Sequence, residues 1–136
     1  MSTYNLFDKE IQINGRFIGE KHPPYIIAEL SGNHQGDINK ALELIDKAAA
    51  TGADAIKIQT YTPDTITLNH TGPEFLIKGG LWKDRTLYDL YSEAYTPWEW
   101  HPALFERAKS HNITLFSSPF DDTAVDLLES LGAPAY

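Results

Sequence analysis

The chain of 136 residues has no cysteine, few basic residues and no long apolar run, and each absence excludes a class of protein. Without cysteine, neither a disulfide framework nor a thiolate zinc site can form, and the cytoplasm is the compartment we expect. With 11 basic against 19 acidic residues, the net charge of −8 argues against nucleic acid or an anionic membrane surface as a partner. No apolar run approaches the roughly 18 residues of a membrane-spanning helix, and the first ten residues do not resemble a signal peptide.

Short apolar segments alternate with amphipathic ones along the chain, which is typical of an α/β protein. Alternating apolar residues on both sides of Asn14–Gly15 predict a β-hairpin over residues 10–18. Strands that alternate with helices pair in parallel through right-handed crossovers, so a parallel sheet is expected. Strands are predicted at 25–30, 55–59 and 113–117, and helices at 37–50, 97–111 and 121–131, with a short helix near 84–93.

Local signals predict where several of these elements begin. Asp37 is placed to cap the first helix. Thr96 and Glu99 have the spacing of a capping box, with Pro97 in the first helical position, so the third helix is predicted to start there. Residues 135–136 would begin a fourth strand.

Two folds are compatible with this order of elements, the (β/α)8 barrel and the doubly wound sheet. The barrel is favoured because a hairpin can close its bottom and because polar residues end every predicted strand, where barrels build their active sites. Both folds place a site at the carboxyl ends of the strands. A complete barrel needs about 250 residues, so residues 1–136 are expected to form the N-terminal part of a TIM barrel, a hairpin followed by about three βα units.

Three residues in the first two predicted strands could carry chemistry. Glu29 ends the first strand, where a partly apolar pocket would suit proton transfer, although an ion pair with Lys57 explains it equally well. Lys57 lies between two isoleucines, an unusual place for lysine, and could bind an anion or form a Schiff base unless it points to solvent at an edge. Gln59 shares the side-chain direction of Lys57 because strand side chains alternate.

Further candidates follow the first and third strands. Ser117 and Ser118 directly precede a helix start, where backbone N–H groups favour phosphate, although simple helix capping is the plainer interpretation. Asn33 and His34 follow the first strand, and a lone histidine there is more often a hydrogen-bonding group than a metal ligand. His101 is interpreted as a packing residue near the helix surface.

Three segments taken together resemble the N-acetylneuraminate synthase family. They are Ile-Ile-Ala-Glu-Leu-Ser-Gly-Asn-His (26–34), Ala-Asp-Ala-Ile-Lys-Ile-Gln-Thr-Tyr (53–61) and Phe-Ser-Ser-Pro-Phe-Asp (116–121). The segment Phe-Leu-Ile-Lys-Gly-Gly-Leu-Trp (75–82) looks like one branch of that family, whose sugar is a diacetamido-trideoxy-altrose, and by itself could be a substrate lid. The match extends from about residue 16 to residue 136.

The resemblance implies a (β/α)8 barrel followed by a small antifreeze-like domain, assembled as a domain-swapped homodimer. It implies condensation of phosphoenolpyruvate with an open-chain acetamido sugar and release of phosphate. It also implies a divalent metal, Mn or Mg, whose histidine ligands in the family lie beyond residue 136. The chain of 136 residues is therefore expected to bind no catalytic metal and to be inactive alone.

The resemblance also suggests roles by position. Glu29 resembles the family's proton-transfer carboxylate, and Lys57 resembles the lysine at the phosphoenolpyruvate anion. Ser118 resembles the hydroxyl that touches the phosphate, and Gln59 resembles a group near the sugar or the metal-bound water. The remaining candidates for substrate binding at the same rim are Asn33, His34 and Ser117.

Three functions of other kinds compete with this one. A keto-deoxy sugar-acid synthase usually has a cysteine among its metal ligands, and this chain has none. An aldolase would form an imine at Lys57, which a synthase does not. A non-catalytic sugar-binding module would keep the polar residues at the strand ends but would catalyse no reaction.

Overall fold

The computed structural model describes residues 10–136, in which strands and helices follow the predicted order. A small additional helix at Pro63–Ile66 lies in a segment for which the sequence predicts no helix. Among residues 10–136, no helix is both long enough and apolar enough to cross a membrane. The elements are β1 (Ile11–Ile13), β2 (Arg16–Ile18), β3 (Ile27–Glu29), α1 (Ile38–Ala50), β4 (Ala55–Thr60), α2 (Pro63–Ile66), α3 (Leu87–Ala94), α4 (His101–Ser110), β5 (Thr114–Pro119) and α5 (Asp122–Ser130), with 3-10 turns at Gly80–Trp82 and Trp98–Trp100.

Strands β3, β4 and β5 form one parallel sheet in that spatial order. The register places Glu29 beside Lys57, and Lys57 beside Phe116. Two residues further along, Gln59 lies beside Ser118. Over residues 10–136 this sheet is open, and both of its outer strands, β3 and β5, have a free edge within that range.

The hydrophobic core lies between one face of this sheet and helices α1 and α4. Asp37 caps α1 as predicted, accepting a hydrogen bond from the backbone of Asn39. Ala41 and Ile45, one turn apart, then turn the apolar stripe of α1 towards the sheet. Burying the Ile45 side chain contributes about 1.5–3 kcal/mol. The buried members of the core are Leu30, Ala41, Ile45, Ile56, Ile58, Leu104, Ala108, Ile113 and Leu115.

The hairpin of β1 and β2 closes the amino-terminal edge of the sheet, as the barrel interpretation expects. Asn14 and Gly15 both have positive φ, 48° and 88°, as a primed two-residue turn requires. The Asn14 side chain donates to Thr114 Oγ1 at 3.2 Å, at the first residue of β5. Arg16 forms an ion pair with Asp54, directly before β4. The opposite edge, where the strands end, is thereby left open for a site.

Three sequence-based predictions about residues 96–136 are wrong. Thr96 does not cap a helix, because its hydroxyl is buried against His34. The chain passes instead through the turn Trp98–Trp100 before α4 begins at His101. His101 is fully buried rather than near the surface. Residues 135–136 form no strand beside β5.

Candidate active site

One face of the sheet brings together four of the predicted site residues. Ile58 is buried in the core, so its neighbours Lys57 and Gln59 project from the opposite face of β4. Because the strands are parallel and in register, Glu29 on β3 shares this face with Lys57, and Ser118 on β5 shares it with Gln59. A carboxylate, an ammonium, an amide and a hydroxyl therefore meet near the carboxyl ends of three adjacent strands.

Glu29 and Lys57 form the ion pair that was one of the two sequence interpretations. Lys57 Nζ is 3.0 Å from Glu29 Oε2, and the two side chains are 34% and 40% exposed. Ser31 donates its hydroxyl to Glu29 Oε1 at 2.9 Å, and it does so from a left-handed backbone with φ of 49°. Such a backbone is uncommon for serine. The pair is thus held in a defined position and remains within reach of a substrate from solvent.

The opposite face of the same strand ends holds a buried polar network. Thr60 Oγ1 lies 2.6 Å from Ser117 Oγ and 2.8 Å from His101 Nε2. Ser117 also reaches the carbonyl oxygen of Ile58 at 3.1 Å. All three side chains of the network are fully buried. Strand alternation turns Ser117 away from Ser118 and into the interior, and its contact with substrate stays a prediction.

His34 lies beneath the rim. Its Nδ1 accepts from Gly36 N at 3.1 Å, so Nε2 carries the proton and donates to Thr96 Oγ1 at 3.2 Å. Burial lowers the pKa of His34 and favours the neutral ring. The prediction of a hydrogen-bonding histidine is confirmed. The ring is fully buried, and its direct contact with substrate stays a prediction. Asn33 is exposed at the rim, and its amide donates to Leu30 O at 2.9 Å.

Aromatic side chains border the same end of the sheet. Tyr61, which follows β4, is buried and contacts Tyr91 and Phe120 edge to face, with ring centroids 5.6 and 5.4 Å apart. Phe120, which follows β5, is 44% exposed. These rings give the edge next to Ser118 an apolar border.

The segment 75–82 is the first arm of an irregular hairpin that leaves this end of the sheet. Leu76 pairs with Thr86 in an antiparallel bridge, and the turn at its tip leaves Leu81 98% exposed. The Arg85 guanidinium lies 5.0 Å from the ring centre of Trp82 and 2.7 Å from the Glu93 carboxylate. The contacts of Arg85 thus stabilise the base of the hairpin, and its tip exposes an apolar side chain.

A divalent metal was expected to need ligands from elsewhere. Across the part of the chain that the structure describes, no three His, Cys, Asp or Glu side chains gather where they could hold a metal ion. Glu29 is engaged with Lys57 and Ser31, and the two buried histidines are engaged with threonine hydroxyls. Residues 10–136 therefore do not fit a metal centre.

A parallel sheet with ionic and polar side chains where its strands end defines an α/β protein with a candidate site at the carboxyl ends of its strands. The chain belongs to the NeuB family, whose model matches residues 44–136. It is 54% identical to pseudaminic acid synthase of Campylobacter jejuni over 112 residues, which is 82% of this chain and 33% of that protein. It is 50% identical to pseudaminic acid synthase of Helicobacter pylori over 114 residues, 84% of this chain and 34% of that protein. The chain therefore spans about a third of the length of these curated relatives.

A solved structure has the same arrangement of strands and helices. The crystal structure of N-acetylneuraminic acid synthetase from Leptospira borgpetersenii, in complex with citrate, matches 92% of this chain and 39% of its own with a TM-score of 0.74 at 32% identity. That protein is a TIM-barrel enzyme. The predicted fold class is confirmed, and residues 10–136 correspond to an open part of such a barrel.

Proposed function

We propose that this chain is the N-terminal part of a pseudaminic acid synthase. The reaction condenses phosphoenolpyruvate with 2,4-diacetamido-2,4,6-trideoxy-altrose to give a nonulosonic acid and phosphate. The observation that carries the proposal is the Glu29–Lys57 pair on the same open face as Gln59 and Ser118. Identities of 54% and 50% to two pseudaminic acid synthases support the choice of sugar.

Each residue of this face has a task in the proposed reaction. A new bond joins the methylene carbon of phosphoenolpyruvate to the aldehyde carbon, whose oxygen gains a proton and becomes a hydroxyl group. Water supplies the oxygen of the new carbonyl group and loses both of its protons, one to that hydroxyl and one to the phosphate, which leaves as its C–O bond breaks. Lys57 attracts the strongly anionic substrate, and Ser118 donates a hydrogen bond to its phosphate. As Lys57 turns towards the substrate, the carboxylate of Glu29 becomes available to accept a proton from the attacking water. Gln59 supplies donors and acceptors for the sugar.

The complete enzyme is proposed to be a cytoplasmic homodimer that uses Mn or Mg. The absence of cysteine supports a reducing compartment. The metal is assigned to residues outside 10–136, because the described residues contain no suitable cluster. When bound, such a metal would polarise the aldehyde of the sugar.

Phosphate release tests the proposal directly. The protein expressed from its complete gene is incubated with phosphoenolpyruvate, Mn and one of three sugars: N-acetylmannosamine, the diacetamido-altrose or the diacetamido sugar of the legionaminic series. We expect release with the altrose alone, and no release from a Glu29→Gln variant. Release with N-acetylmannosamine alone would change the assignment to an N-acetylneuraminate synthase, and no release with any sugar would refute a synthase.

A trapping experiment separates the synthase from an aldolase. Borohydride added with pyruvate reduces any imine and leaves a permanent mass increase on the lysine. We expect the peptide that contains Lys57 to keep its mass. A stable adduct at Lys57 would contradict the proposed mechanism.

A further inference from the structure

A hydrogen bond on the buried face of the sheet connects the two strand ends that carry Gln59 and Ser118. On β4, Thr60 follows Gln59 and points to the opposite face; on β5, Ser117 precedes Ser118 and does the same. The two buried hydroxyls meet at 2.6 Å. Any shift of one hydroxyl therefore moves the neighbouring residue on the open face.

His101 determines the direction of the hydrogen bonds at this connection. Its Nδ1 lies 3.2 Å from the carbonyl oxygen of Pro97, which can only accept, so Nδ1 carries the proton. In a neutral ring Nε2 is then the acceptor, and Thr60 donates to it at 2.8 Å. The hydroxyl proton of Thr60 is committed in this way, so the single proton of Ser117 is shared between Thr60 Oγ1 at 2.6 Å and the carbonyl oxygen of Ile58 at 3.1 Å.

The environment of His101 keeps the ring neutral, as this arrangement requires. Burial lowers the pKa of His101, and this effect outweighs the opposing influence of the Pro97 and Trp98 carbonyls and the Glu99 carboxylate. The ring is fully buried at the first residue of α4, a helix packed against α1 and β5. The acceptor that holds Thr60 is thus supplied by a rigid element.

We propose that His101 is a positioning residue of the active site, which fixes the Thr60 and Ser117 hydroxyls and thereby the strand ends that present Gln59 and Ser118 to phosphoenolpyruvate. The inference rests on the proposed function of this face. His101 touches no substrate and acts through two buried hydroxyls. A role in packing alone would affect the amount of folded protein, whereas positioning affects the affinity of that protein for its substrate.

Two substitutions at His101 separate these roles. His101→Asn retains an amide donor near Nδ1 for Pro97 but is too short to accept from Thr60, whereas His101→Gln places an amide oxygen near the position of Nε2. In the protein from the complete gene, we expect His101→Asn to raise the KM for phosphoenolpyruvate about tenfold, the usual effect of losing one hydrogen bond. The KM for the sugar should change less, and His101→Gln should restore the KM for phosphoenolpyruvate to near its original value.

Loss of folded protein would lower kcat at an unchanged KM, so the two roles give different results. Equal KM values for phosphoenolpyruvate in the unaltered protein and both variants would overturn the proposal. If His101→Asn does not fold, Thr60→Val provides the same test, because it keeps the side-chain shape and removes both hydrogen bonds of Thr60. An unchanged KM in Thr60→Val would overturn the proposal equally.

A second readout is independent of catalysis. If the unaltered protein releases no phosphate with any sugar, the proposed function has failed, and hydrogen exchange then decides the positioning role. In His101→Asn, the backbone amides of residues 58–60 and of Ser117 and Ser118 should exchange faster, while those of α1 keep their rates. Unchanged exchange rates at both strand ends would overturn the claim that His101 holds these strand ends in position.

Discussion

At the scale of single residues, the charges of Glu29 and Lys57 are 3.0 Å apart, and both side chains remain more than a third exposed. Ion pairs of this exposure contribute about 0–1 kcal/mol to stability, because water screens them and their long side chains lose freedom. The same exposure leaves Lys57 free to exchange its partner for an incoming anion. The pair is therefore poor evidence for stability, and its part in binding stays a proposal.

Lys57→Gln should separate these two contributions. We expect the free energy of unfolding to change by no more than about 1 kcal/mol, and the rate of phosphate release to fall by at least about a hundredfold, as when a charged group at a substrate anion is lost. Urea unfolding and the phosphate assay measure the two effects.

Lys47→Gln is the matched control for this experiment. Lys47 also pairs with a glutamate, at 2.6 Å from Glu43, but it lies on the exposed side of α1. We expect neither stability nor activity to change appreciably. Similar losses of activity in the two variants would contradict a special role for Lys57.

The two buried histidines predict how stability depends on pH. Burial lowers the pKa of His34 and of His101 in the folded protein, whereas an unfolded chain titrates at about 6.5. Below that value the unfolded chain binds more protons, so stability is fully present above it and is lost as the pH falls through the lowered folded values. The urea midpoint should decrease between about pH 7.5 and 5.5.

Replacing both histidines provides the control for the pH prediction. A protein with His34→Gln and His101→Gln keeps polar side chains of similar length but cannot titrate in this range. Its urea midpoint should depend less steeply on pH than that of the unaltered protein. An identical pH dependence in the two proteins would show that other groups are responsible.

The sequence pattern located the open-face residues but missed the network behind them. Lys57 and Gln59 could be predicted because a polar residue at every second position of an apolar strand is a local signal. The contact of Thr60 with His101 joins residues 41 positions apart. It depends on how α4 packs on the sheet, and no local pattern encodes that packing.

At the scale of elements, the start of α4 shows how tertiary contacts override local signals. Thr96 and Glu99 have capping-box spacing, yet the Thr96 hydroxyl serves His34 instead. The helix then starts five residues later, at His101. Asp37 caps α1 as predicted, because no such competitor approaches it within the described residues.

Gly32 marks the close approach of the loop after β3 to the end of α3. A Cβ atom at Gly32 would lie 2.7 Å from the carbonyl oxygen of Ala94, which is backbone and cannot easily move. Gly32→Ala should therefore destabilise the protein by about 1–3 kcal/mol, in the range of overpacked interiors. Urea unfolding measures the change.

Gly79→Ala is the control for Gly32→Ala. Gly79 has an extended backbone, with φ of −166°, and open space around its Cβ position. The effect should stay within about 0.5 kcal/mol. Equal destabilisation by the two substitutions would mean that the contact between Gly32 and Ala94 is not responsible.

At the scale of the whole molecule, residues 10–136 form a sheet whose outer strands have free edges in that range. Parallel sheets normally have both faces covered, yet Ile27 on the open face is 45% exposed. The order of elements predicted the α/β class, because it follows from alternating periodicities. Three parallel strands are common to the barrel and the doubly wound sheet, so the order of elements cannot decide between them. The likeness to a solved enzyme supports the barrel.

A polypeptide of these 136 residues alone is expected to release no phosphate from phosphoenolpyruvate. It spans about a third of its relatives, and its described residues contain no cluster that could hold the expected metal. The phosphate assay, with the protein from the complete gene as reference, checks this. Turnover by the polypeptide of 136 residues would show that the open sheet is sufficient for catalysis.

The hairpin beneath the sheet also has a consequence for the order of events during synthesis. Asn14 contacts Thr114, 100 residues later in the chain. A ribosome adds about 5–20 residues each second, so the hairpin leaves the ribosome several seconds before its partner exists. A hairpin itself forms within about 10 microseconds. Until β5 emerges, the hairpin therefore lacks the contact with Thr114 that holds it against the sheet.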